Sequence, residues 1–168
     1  MKYASSYSKL ADFGRELLIK KSLADGLPLI SKSAKDIIGA DRCSIFINDL
    51  EKKELWTTIS DGVDKIIIPQ GKGIVGQTIK EERTILVNDV YSNQHFMADI
   101  DEETGYTTKN IIATPIFNSD RDVIGVLELL NKENGFDEAD MKFTKFFAHY
   151  ISGFLELILF KRRIVERG

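Results

Sequence analysis

The chain has 168 residues, 43% of them hydrophobic and 29% charged, with a formal net charge of −3 and a pI of about 5.5. That length suits one domain with a helical extension, large enough to fold without a metal or a disulfide. The acidic balance argues against a nucleic-acid partner, whose phosphates require a basic face, and the lone Cys43 has no internal disulfide partner, which fits a reducing compartment.

From the N-terminus, Tyr3, Tyr7, Leu10, Phe13 and Leu17 recur every three or four residues and predict a helix over residues 3–21. This stretch lacks the continuous apolar core of a signal peptide. Asp25 has the chemistry of an N-cap with Pro28 in the first turn after it. A second helix then carries Leu27, Ile30, Ala34, Ile37 and Ile38 and stops at Gly39.

The period then changes. Residues 43–48, 54–59 and 65–69 are short β-branched or aromatic runs, and the short polar connection 49–53 suggests antiparallel hairpins. A short helix over 74–82 leads to a strand at 84–88. The polar stretch 89–109 has no periodicity, and loops of that length in a compact domain are typically lids or binding loops. Two more strands, 110–117 and 123–130, flank the turn residues Asn118 to Asp122. Asp137 is the expected N-cap of a last helix running to about Val165. Phe143, Phe147, Tyr150, Phe154, Leu157, Lys161 and Ile164 form one stripe on it; Phe146, Ile151, Leu155, Ile158 and Leu159 form another. A helix apolar on two sides wants two partners, the sheet and a second helix. The apolar run Ile151 to Phe160 is shorter than a bilayer and contains Glu156, so the expectation is a cytoplasmic protein without a membrane partner. The order of elements predicts an α+β fold with a central antiparallel sheet of about six strands.

Few motifs point to chemistry. Gly71, Gly73 and Gly76 satisfy GxGxxG, but a dinucleotide-binding fold needs βαβ units, and the strands before Gly71 read as hairpins. The glycines still permit close backbone approach ahead of a helix N-terminus, where an anion is favoured. Cys43 alternates within an apolar strand as a small hydrophobe would, and His95 and His149 have no second ligand at metal spacing. No Ser-His-Asp order, HExxH or GxSxG occurs. The sequence predicts neither an enzyme nor a metal site.

Several segments together resemble one family. Gly39-Ala40-Asp41-Arg42-Cys43-Ser44-Ile45-Phe46-Ile47 is similar to the first strand of GAF domains, as are Ile68-Pro69 with Gly71 to Gly76, and Asn88-Asp89-Val90. Thr104 to Ile111 and Val123 to Lys132 resemble the regulatory GAF domains of cyclic-nucleotide phosphodiesterases and bacterial adenylyl cyclases. The resemblance covers roughly residues 25 to 160. It implies terminal helices on one sheet face and a ligand pocket on the other, under the long loop. It also implies three parts: an N-terminal signalling or dimerisation helix (1–22), a GAF domain (23–160) and the start of a C-terminal linker helix (161–168).

The family's ligand-contacting positions fall on Ser44, Asp61, Val75, Asp101, Thr108 and Glu128. Each also has an ordinary structural reading, as strand, turn, loop or helix-packing residue. Ser60 stands where relatives place a stacking Phe, whose ring is worth about 1–3 kcal/mol by analogy with base stacking. The family's Asn-Lys…Phe…Asp motif falls on Asn131, Lys132, Phe136 and Asp140, with Met141 in place of a final Glu. A Lys132–Asp140 ion pair would tie the last strand to the last helix. Three ligand states stay open: a cyclic nucleotide (cAMP or cGMP), another small molecule, or none, the last leaving a structural dimerisation module. The implied partners are a second copy through the terminal helices and an output domain such as a kinase, cyclase or phosphodiesterase. GAF-like reductases of free methionine sulfoxide use several cysteines, and Cys43 alone cannot form their disulfide.

Overall fold

The computed structural model describes residues 2–51, 53–57, 67–69, 71–94, 96 and 106–167. A short 3-10 turn, Ala4–Ser6, opens into helix α1, Tyr7–Leu18, which buries Leu10, Phe13 and Leu17. Helix α2, Leu23–Ile38, starts earlier than the sequence suggests. Its N-cap is Ser22, in extended conformation, whose Oγ accepts the Asp25 amide at 3.2 Å. Asp25 is therefore the third helical residue and not the cap: a hydroxyl bonding an N3 amide satisfies a donor that no intrahelical carbonyl reaches. Pro28 consequently lies in the second turn, inside the helix. Gly39 closes α2 with φ 86°, a left-handed conformation that a side chain resists.

Six strands are described: β1 Ala40–Asp49, β2 Glu54–Trp56, β3 Ile67–Pro69, β4 Ile85–Val87, β5 Ile111–Phe117 and β6 Val123–Lys132. They form one sheet in the order β3-β2-β1-β6-β5-β4, every pairing antiparallel. Residues 58–66 lie outside the described set, so the expected strands at 54–59 and 65–69 are seen only as β2 and β3. This topology excludes the doubly wound fold that a GxGxxG reading would need.

Strand alternation divides the side chains between two layers. Cys43, Ile45, Ile47, Ile112, Ile116, Leu127 and Leu129 join the buried residues of α1, α2 and the last helix, α4 (Glu138–Arg167), in the larger core. Phe46, Leu55, Ile111, Ala113 and Val126 face the other way, beneath helix α3, Gly73–Glu81. At α3 the third glycine acts by proximity: a Cβ on Gly76 would stand 2.7 Å from the backbone of Gly71, itself at φ 87°.

Helix α4 is capped reciprocally, the Asp140 amide donating to Asp137 Oδ1 at 2.8 Å and the Asp137 amide to Asp140 Oδ2 at 2.9 Å. Its buried stripe is Phe143, Phe147, Ile151, Leu155 and Ile158. The expected grouping of Tyr150 and Leu157 with Phe143 does not hold. From Phe147 a helix face continues by a step of three or of four, and packing on the sheet selects the four-step to Ile151. Tyr150 and Leu157 turn outward with Phe146, Phe160 and Ile164, between 42% and 58% exposed. With Gly153 these outward positions follow steps of four and three, the spacing of a coiled-coil seam. Over Glu138–Val165 the helix is long and apolar enough to cross a membrane by length and composition, beyond the shorter Ile151–Phe160 stretch considered from sequence. Part of that apolarity is spent on the sheet: Phe147, Ile151 and Leu155 are fully buried.

Candidate functional site

The sheet face turned away from the terminal helices is apolar with polar insertions. Ser44 on β1 sits directly opposite Glu128 on β6, and Glu128 is opposite Ala113 on β5. Ser44 is 8% exposed and Thr108, just before β5, is 3% exposed. Ile74 and Val75 of α3 close over this layer, together with Val90. Val75 is thus a packing residue of the roof, with its side chain buried.

Both ends of the long polar stretch are tied to the domain. At its start, Val90 is fully buried in the 3-10 turn Val90–Ser92, and its amide reaches the Lys109 carbonyl at 3.2 Å. Phe96 packs on the same layer and meets Tyr91 edge-on at 5.2 Å. At the other end, Asn131 acts as a clamp. It adopts φ 58°, a conformation Asn tolerates better than most residues. Its Oδ1 accepts the amides of Lys109 (2.6 Å) and Asn110 (3.2 Å), while its Nδ2 donates to the Thr107 carbonyl (2.8 Å) and Tyr106 Oη (2.9 Å). Tyr106 donates in turn to Asp41 at 2.8 Å, and burial, reinforced by that carboxylate, pushes its phenol well above the usual range.

Arg42 was not among the residues singled out from sequence. It shares the strand face of Ser44, its guanidinium stacks 3.7 Å from the Tyr106 ring centre, and its Nη1 is buried with no hydrogen-bond partner among the described residues. On α3 the Oε1 of Gln77 is in the same condition. An unsatisfied buried donor or acceptor costs about 1–3 kcal/mol, so two beside one layer call for an explanation. A strand residue of mixed pattern gives no such signal in sequence; only the backbone register shows it.

The Asn-Lys…Phe…Asp residues form a second cluster at the end of β6. Lys132 Nζ lies 2.6 Å from Asp140 Oδ1, and the Asp140 side chain is fully buried. The N-terminal segment joins it: Tyr3 donates its phenol proton to Asp140, and Lys2 Nζ reaches Asp140 at 2.9 Å and Asp137 at 2.7 Å. Burial pushes the Asp140 carboxyl up, but donors from Lys132, Tyr3, the Asp137 amide and Lys2 outweigh it and hold the group well below the usual carboxylate range. Phe136 is buried, and both its backbone groups bond the Asn88 side chain, at 2.8 and 3.1 Å. These four residues join chain segments. Of the six ligand positions read from sequence, Ser44 and Glu128 share one sheet face and Val75 belongs to its cover; Thr108 is buried just before β5, and Asp61 and Asp101 lie outside the described residues.

The antiparallel sheet carries the terminal helices on one side and a helix-roofed layer containing polar groups on the other. The chain belongs to the GAF family: the GAF domain model matches residues 22–155. It is 33% identical over 148 residues to a dual 3',5'-cyclic-AMP and -GMP phosphodiesterase 11A of Takifugu rubripes, covering 75% of this chain and 16% of that protein. It is 37% identical over 101 residues to a cGMP-specific 3',5'-cyclic phosphodiesterase of Drosophila mojavensis, covering 57% of this chain and 9% of that protein. The chain thus spans a small fraction of these relatives' length. Among solved structures, the GAF domain of a phosphoenolpyruvate-protein phosphotransferase from Coxiella burnetii superposes with a TM-score of 0.81 at 20% identity, over 92% of this chain and 94% of that one. A free methionine-R-sulfoxide reductase from Neisseria meningitidis gives 0.73 at 22% identity, over 89% and 87%. At these identities the likeness is one of fold.

Proposed function

We propose that this chain is a sensory GAF domain that binds a small molecule on the face bearing Ser44, Thr108 and Glu128 and relays its occupancy through α1 and α4. The observation that carries this reading is the buried, unpartnered Arg42 Nη1 on the strand face that holds Ser44 and Glu128, with a second such atom, Gln77 Oε1, on the covering helix α3. Asp61, Val75, Asp101 and Thr108 complete the ligand set by family resemblance. The long stretch expected to act as a lid is described only at its ends, residues 89–94, 96 and 106–109, which are tied to the domain; a ligand shifts the domain only as far as it binds one conformation better. In this reading residues 23–160 are the sensing unit, and residues 1–22 and 161–168 transmit. The role is regulatory and not catalytic, in a cytoplasmic protein whose output domain is a phosphodiesterase, cyclase or kinase. Cys43, fully buried in β1, is unsuited to thiol exchange.

Within this reading a cyclic nucleotide is favoured by identities of 33% and 37% to cyclic-nucleotide phosphodiesterases. A ligand-free dimerisation module is favoured by the bulk of Phe46, Ile74, Val75 and Phe96 in the same layer. Thermal unfolding against a nucleotide panel including cAMP and cGMP separates the two. A ligand at a hundred times its Kd adds about 2.7 kcal/mol, raising Tm by several degrees, and Thr108→Ala and Asp101→Ala should both abolish the shift. A flat panel leaves the dimerisation module standing in place of nucleotide sensing.

A further inference from the structure

A second concavity lies on the opposite side of the sheet, where the β4–β5 edge meets the flank of α4. It has a volume of about 290 Å³. Its wall carries Arg83, Arg121, Lys145, His149 and the hydroxyls of Thr84 and Thr114; among the described lining residues Glu82 is the only carboxylate. Arg83, Arg121 and Lys145 outnumber Glu82 among these lining residues even with Arg83 paired to Glu81, so the wall favours an anion, and its concavity focuses the field.

Arg121 is held in place before any ligand arrives. The β5–β6 turn is locked by Asn118, whose Oδ1 accepts the amides of Asp120 and Asp122, each at 2.9 Å. Glu156 of α4 fastens the same turn by accepting the Ser119 amide at 3.0 Å and hydroxyl at 2.8 Å. Arg121 itself takes φ 62°, and its guanidinium rests 4.6 Å from the Phe117 ring centre. Arg83, another lining residue, is braced by Glu81 at 3.1 Å. The two threonine hydroxyls are 2.7 Å apart. One proton joins them and the other remains available to an acceptor. Guanidinium groups, an ammonium and a neutral hydroxyl donor lining one hollow match oxygen anions spread over more than one centre.

We propose that this cavity is a second binding site, specific for a small soluble anion carrying two linked phosphate groups. It is separate from the Ser44 face and does not depend on the reading given for it. The probe is inorganic pyrophosphate, titrated by calorimetry into the intact chain, with orthophosphate as comparison. The expected result is saturable one-to-one binding with Kd near or below about 1 mM, weaker for orthophosphate. The double variant Arg121→Ala, Lys145→Ala should weaken it at least about tenfold, a loss typical of one charged hydrogen bond. Removing two charges that do not line the cavity, Lys9→Ala with Lys32→Ala, should leave it within about twofold. Absence of saturable binding at millimolar pyrophosphate would overturn the proposal. So would equal loss in both double variants, which would reduce the effect to net charge.

Discussion

Asp140 keeps its charge although its side chain is fully buried, because Lys132, Tyr3, Lys2 and the Asp137 amide all donate to it. Replacing it with Asn leaves Lys132, itself only 17% exposed, without its counter-charge. The expected cost of Asp140→Asn is about 3 kcal/mol in urea unfolding at pH 7, the scale for breaking a buried pair from one side. The pH dependence has a fixed sign. A carboxyl held below its unfolded value near 3.9 contributes its full stability above that pH, and the contribution fades as pH falls toward the folded value. The wild type should therefore weaken below about pH 4, and Asp140→Asn should show a shallower acid limb. An unchanged limb would remove Asp140 from the account. Sequence pointed to the Lys132–Asp140 partnership through the family motif, but not to Lys2 or Tyr3, since nothing local ties the first turn of a chain to a residue 137 positions away. Arg42 was hidden for a related reason: its isolation arises from what surrounds it.

At the scale of elements, periodicity located every described helix and strand to within a few residues, since burial on one face imposes the pattern directly. The errors fell where two local solutions compete. Ser22 and Asp25 both suit an N-cap, and the backbone chose the hydroxyl. On α4 both i+3 and i+4 steps are apolar, so the division into inner and outer stripes depended on the sheet. The glycine motif was legible as a close approach, but the partner was backbone. Gly76→Ala should therefore cost about 1–3 kcal/mol, the scale of overpacking, because the Gly71 backbone 2.7 Å away cannot swing aside as a side chain would. By contrast, Gly153→Ala, with nothing within 4 Å, should be neutral or slightly stabilising. Chemical unfolding of the two variants distinguishes them; equal costs would refute the close-approach reading.

For the whole molecule, the outward seam leaves Phe146, Tyr150, Leu157, Phe160 and Ile164 each between 42% and 58% exposed, and this supports the proposed pairing of two copies along α4. Sedimentation at tens of micromolar should give a dimer, and Leu157→Glu with Phe160→Glu should give a monomer with an unaltered fold. A wild-type monomer would remove the relay from the proposal. The sheet order has a different consequence, for anyone dissecting the protein. Its middle pair, β1 and β6, comes from the two ends of the fold, aligned from Ala40↔Lys132 to Ile47↔Gly125. Everything between is threaded outward from that seam and back, so neither the leading nor the trailing portion holds a sheet with both neighbours present. Any fragment cut between those strands exposes the broad edge of a central strand, an invitation to aggregate. The domain is topologically indivisible.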